Sequence, residues 1–149
     1  MIVSLLFFVL ITSTIVALLE IQIEGKNGWA NKLPTWRIEN RIVSFILGPY
    51  HPLTGYHFFL SLLVILFFHF PFFVGLPWSA SFELKIFSMF FFFWIIEDFL
   101  WFVFNPNFGI GKFKKGEIPW HSRWFLRIPY SYYKFFVLSV ILYWASYFV

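Results

Sequence analysis

The chain contains no cysteine. Disulfides, thiolate metal sites and cysteine nucleophiles are therefore excluded, and the redox compartment is left unmarked. Charge is scarce as well. Only 12% of the 149 residues are Asp, Glu, Lys or Arg, against roughly 25% in a soluble domain. Walker and G-x-G-x-x-G phosphate loops are missing, as is the G-x-S-x-G nucleophile elbow. Nucleotide use and serine-hydrolase chemistry thus have no motif to rest on. Neither H-E-x-x-H nor Glu-x-x-His occurs.

What fills the sequence instead is apolar. Hydrophobic residues make up 60% of it, Phe alone accounts for 25 positions, and the mean hydropathy is +0.78. That composition belongs to the membrane class. The long apolar runs do not alternate, which sets aside a transmembrane β-barrel.

Four runs are long enough to approach the ~20 residues of a spanning helix. They cover about 2–23, 55–75, 82–104 and 130–149. No Lys or Arg precedes the first run and no A-x-A site follows it, so it reads as a span rather than a signal peptide. Pro71 is positioned to kink the second. Between the first two runs, Ile38, Ile42, Phe45 and Ile46 recur at helical spacing among Arg37, Asn40, Arg41 and Ser44, and Gly48-Pro49 stops the pattern. A short amphipathic helix is expected there, lying in the membrane interface or packed on the bundle. The fold class expected is an all-α integral membrane protein, one domain of four transmembrane helices plus that interfacial helix.

Charge placement orients the four spans. Of the 11 Lys and Arg residues, Lys26, Lys32, Arg37 and Arg41 fall in the first connection. Lys112, Lys114, Lys115, Arg123 and Arg127 fall in the third, and the short middle connection has none. The positive-inside rule makes the first and third connections cytoplasmic and puts both termini on the other side. Trp29, Trp36, Trp120 and Trp124 fit an aromatic belt at that cytoplasmic face. The net charge of +4 is then a matter of topology and anionic lipid, not of nucleic-acid binding. The partners expected are the bilayer, and other membrane subunits or a second copy of the chain.

Glu97 and Asp98 interrupt the third run. A carboxylate at mid-membrane costs roughly 2.5–3.5 kcal/mol on insertion scales, so such residues face a bundle interior and have partners. Neighbours on a helix point about 100° apart, so the two acids must look in different directions among Trp94, Trp101 and several Phe rings. The topology also brings Glu20 and Glu24 at the end of the first span, His57 at the start of the second and His121 after the third to the same cytoplasmic half. His51 at the loop boundary and His69 nearer the other side stand apart.

Two readings follow. In the first, Glu20, Glu24, His57, Glu97, Asp98 and His121 form a site for a divalent metal (iron, zinc or manganese), with Glu97 and Asp98 as catalytic groups of a small membrane enzyme or metal-binding protein acting on a lipid or other hydrophobic substrate. In the second, the chain is a non-catalytic subunit of a larger membrane complex. Its acids would then lock helices together by pairing with Lys26, Arg37, Arg123, Arg127, a Tyr hydroxyl or His57. A proton path or a lipid-headgroup pocket is a further use of such acids. His69 invites a haem-ligand reading, but a packed or hydrogen-bonded histidine is the simpler expectation.

Overall fold

The computed structural model describes residues 2–48 and 51–149. The Pro49 half of the expected helix stop lies outside these residues. The chain is mostly helical, and its longest elements are α1 (Ile2–Glu24) and α5 (Ala80–Phe104). Both are long and apolar enough to cross a membrane. At 1.5 Å per residue they extend about 34 and 37 Å, against the ~30 Å of a bilayer core.

The other two expected spans are shorter. The second is α3 (Gly55–Phe68) followed by the single turn α4 (Phe70–Phe73). Pro71 has no N–H to continue the helical ladder, and the break falls at His69, whose backbone N–H closes α3 on Ile65 and Leu66. The fourth is α6 (Tyr130–Ala145), which begins directly after Pro129 and ends in a turn at Ser146.

Helix α5 is central, packing on α1, α6 and α3. On α1 only a narrow seam is buried: Val9, Ser13, Ala17, Glu20, Ile21 and Glu24. Small residues on that seam let backbones approach, and the Ser13 hydroxyl donates to the Phe93 carbonyl of α5 at 3.2 Å. Ser88 of α5 likewise donates to the Ser139 carbonyl of α6 at 2.8 Å. Away from these seams the helices present apolar side chains outward, Ile15, Leu63 and Val140 among them.

The amphipathic segment splits into a two-residue strand and a seven-residue helix. β1 (Arg37–Ile38) pairs antiparallel with β2 (Leu53–Thr54), and only α2 (Arg41–Leu47) is helical. Asn40 sets the boundary, its extended backbone and side chain capping the Val43 N–H at 2.9 Å. Ile42, Phe45 and Ile46 of α2 are exposed and only Val43 is buried. At its far end, the Lys134 ammonium donates to the carbonyls of Phe45 and Ile46 at 3.0 and 2.9 Å.

The third connection holds a 3-10 turn at Ile110–Lys112 and the hairpin of β3 (Trp124–Phe125) and β4 (Ile128–Pro129). Its two tip residues, Leu126 and Arg127, both have positive φ, the requirement of a two-residue type I′ turn.

Candidate functional site: a carboxylate–histidine cavity

The segment from Gly25 to Arg37 begins the site. Gly28, Trp29 and Ala30 have consecutive φ values of 59°, 48° and 49°, a left-handed run that costs about 1–2 kcal/mol for each residue bearing a Cβ. The run turns the Ala30 N–H onto Glu24 Oε1. Arg37 secures the turn from behind, donating to the carbonyls of Ala30 at 2.5 Å and Asn31 at 3.3 Å. At the base of the turn, the buried Asn105 amide ends α5 and donates to the Gly25 carbonyl at 2.8 Å.

This loop delivers Trp29, which stacks on the His57 ring at 4.4 Å and meets the edge of His51 at 4.5 Å. His57 is fixed by Thr54. The Thr54 hydroxyl accepts the His57 backbone N–H at 3.2 Å, capping α3, and lies 2.7 Å from His57 Nδ1. With the Thr54 hydroxyl donating to Nδ1, the ring N–H sits on Nε2, which faces Glu24 Oε1 at 3.6 Å.

A second group forms across α5 and α6. Asp98 Oδ2 receives the Tyr132 hydroxyl at 2.5 Å and stands 3.0 Å from His121 Nε2. His121 reaches it from the third connection, where Trp124 Nε1 donates to the His121 carbonyl at 2.5 Å. The neighbouring Trp120 ring lies parallel to Phe102 with ring centres 5.8 Å apart.

The third group is Glu20 with Glu97. Their carboxyls face one another across the seam of α1 and α5, close to Tyr56. Both residues are at least 95% buried, yet among the described residues each Oε1 lacks a hydrogen-bond partner, as do the Tyr56 hydroxyl and Trp101 Nε1. Two carboxyls this close and this far from water need a proton or a cation between them.

All three groups line one cavity of about 220 Å³. It takes in each of the six residues expected from the sequence: Glu20, Glu24, His57, Glu97, Asp98 and His121. The divergence of Glu97 and Asp98 is resolved by partners on either side, Glu20 of α1 and Tyr132 of α6. His51 does not stand apart. It lines the same cavity with its ring centre 6.0 Å from that of His121. The hairpin of β1 and β2 carries it inward, a pairing that the sequence pattern did not disclose.

The six do not converge as one ligand set. Among the described residues, no three His, Asp or Glu side chains stand where a single metal ion could take them all. Glu24, His57, Asp98 and His121 are each engaged within their own group, which holds them apart from Glu20 and Glu97. The lysine and arginine partners expected for helix-locking are not found there either. Among the described residues, the only basic side chains within 4.0 Å of these acids are His57 and His121. Arg37 is spent on carbonyls, and no Lys or Arg lines the cavity.

Comparison of the chain with known protein families, with curated proteins and with solved structures brings out no match. Function is therefore argued from this geometry.

Two participants escaped the sequence reading by name. Tyr132 enters through the general expectation of a Tyr hydroxyl near the acids, and its position one turn into α6 was its signal. Thr54 had none beyond its place before the Gly-Tyr-His that opens α3. His69 is separate from the cavity, held by the Ile65 carbonyl at 2.6 Å and Glu83 at 3.1 Å. Both ring nitrogens are thus engaged, as a hydrogen-bonded histidine requires.

Proposed function

We propose that the chain is an integral membrane protein of four spans, formed by α1, α3 with α4, α5 and α6. Its termini lie outside and its basic connections lie in the cytoplasm. The cavity is a binding and acid–base site for a lipid or other hydrophobic molecule. One observation carries this reading: four carboxyls and three imidazoles, from separate chain segments, line a single cavity that no Lys or Arg enters among the described residues.

Membrane proteins rarely keep so many ionisable groups inward without a use for them. Tyr132, Asp98 and His121 form a chain of hydrogen-bonding groups able to pass a proton. Glu97 and Glu20 form a pair that holds a proton or a positive charge. Ile46, Leu47 and Phe135 supply apolar wall beside these groups, the mixture used by sites for small hydrophobic ligands.

Metal-assisted chemistry is the second reading, favoured by the unpartnered Oε1 atoms of Glu20 and Glu97. Bound iron, zinc or manganese would require these acids and His57 to draw together, and elemental analysis of the purified protein decides it.

The function is tested by comparing total lipid extracts of cells producing the wild type, Glu97→Gln or Asp98→Asn at equal levels. A lipid species that accumulates or disappears with wild type alone supports the reading. Identical extracts across all three, together with identical small molecules co-purifying with each protein, oppose it.

A further inference from the structure

A second cavity, an open groove of about 790 Å³, lies between α2, the third connection and the start of α6. Its charge is opposite to that of the first: Arg41, Arg123 and Lys134 line it. Among the described residues, Glu39 is the one acid on this wall, and no carboxylate comes within 4.0 Å of any of the three cations. Lys134 directs two of its three ammonium protons to the Phe45 and Ile46 carbonyls, at 3.0 and 2.9 Å. Those carbonyls do not neutralise it, and the Arg123 guanidinium is near enough to repel it. Like charges gathered in one groove oppose each other, and a bound anion removes that cost.

The donors on the wall narrow the choice of anion. Ser44, Ser122 and Ser131 line the groove beside the cations. A single guanidinium fork already engages both oxygens of a carboxylate, whereas a phosphate presents about three acceptor oxygens and takes several such donors at once. The groove also has an apolar rim, because Phe45 and Tyr130 line it while 83% and 51% exposed. We propose that this groove binds a phosphate group, and that rim favours a lipid headgroup over a free phosphate ester as its source. His51 and His121 line both the groove and the carboxylate–histidine cavity, so the two are neighbours. The phosphate site nevertheless stands on its own residues and does not depend on the function of that cavity.

The test is titration of the detergent-purified protein, in phosphate-free buffer, with dihexanoylphosphatidic acid, dihexanoylglycerol and glycerol 3-phosphate, read by calorimetry and thermal unfolding. Dihexanoylphosphatidic acid is expected to bind and raise the melting temperature, and dihexanoylglycerol to do so weakly. Glycerol 3-phosphate should bind less tightly than the lipid. Equal binding of those two would keep the phosphate site and assign it to a free ester. Arg41→Gln and Arg123→Gln should each weaken binding about tenfold, ~1.4 kcal/mol. Both arginines are exposed, so their replacement leaves the fold intact. Lys115→Gln, at an exposed lysine of the third connection outside the groove, should leave binding unchanged. An equal loss in Lys115→Gln would overturn the site in favour of diffuse attraction to a basic surface. Dihexanoylglycerol binding as tightly as the phosphatidic acid, or no response to either phosphate, would overturn it as well.

Discussion

Gly28 is the residue on which the loop closes. A Cβ there would come within 2.3 Å of the Trp120 ring, and its φ of +59° is one that side-chain-bearing residues seldom adopt. Gly28→Ala should therefore destabilise the protein by about 2–4 kcal/mol, combining left-handed strain with overpacking. Thermal unfolding measures it, with Gly116→Ala, whose Cβ meets nothing within 4 Å, isolating the conformational part. Thr54 offers a complementary case. Thr54→Val removes the cap of α3 and the hydrogen bond to His57 Nδ1 at nearly constant volume, and about 1–2 kcal/mol should be lost. Thr54→Ser should recover most of it, and an equal loss in both would show that the methyl group matters as much as the hydroxyl. At this scale the sequence was informative about acids and silent about their supports. A carboxylate in an apolar run announces itself by its cost, whereas Thr54, Tyr132 and His51 acquire meaning only when strand pairing and helix contacts bring them inward.

Helix α2 is the element where pattern and fold diverge most. The 3.6-residue recurrence from Ile38 to Ile46 is real, but Arg37 and Ile38 find strand partners in Thr54 and Leu53, and Asn40 starts the helix later. Periodicity cannot see a ladder formed with residues beyond the turn. What remains is seven residues long, too short to persist alone, and Lys134 holds its last carbonyls. Lys134→Met should raise amide hydrogen exchange in residues 41–47 while leaving the rest of the protein unchanged. Uniform exchange in both proteins would show that α2 is held otherwise. The second expected span lost its continuity at His69 for a reason that was legible, since Pro71 stands two residues further on.

For the whole molecule, the order of the apolar runs was the most informative feature. Alternating runs group six polar residues toward one end of the helices, and one cavity is lined by all six of them. The absence of native cysteine makes the topology directly measurable. Single substitutions at exposed positions, Trp78→Cys in the short connection and Lys115→Cys in the basic one, can be labelled with a membrane-impermeant maleimide. Trp78→Cys should react in intact cells and Lys115→Cys only after permeabilisation. The reverse pattern would invert the orientation, and reaction of both in intact cells would remove the four-span topology.

The central claim is that the buried acids serve a ligand rather than the fold, and stability tests it most directly. Helix-locking pairs lose about 3–5 kcal/mol when one partner is removed, whereas buried polar groups kept for another purpose are often replaced by apolar ones at no cost or with a gain. Thermal unfolding of wild type, Glu97→Leu and the double variant Glu20→Leu/Glu97→Leu distinguishes the two. The expected result is a melting temperature equal to or above that of wild type in both variants, with ligand binding lost. A fall corresponding to several kcal/mol in Glu97→Leu would contradict the account and make these carboxyls part of what holds the helices together.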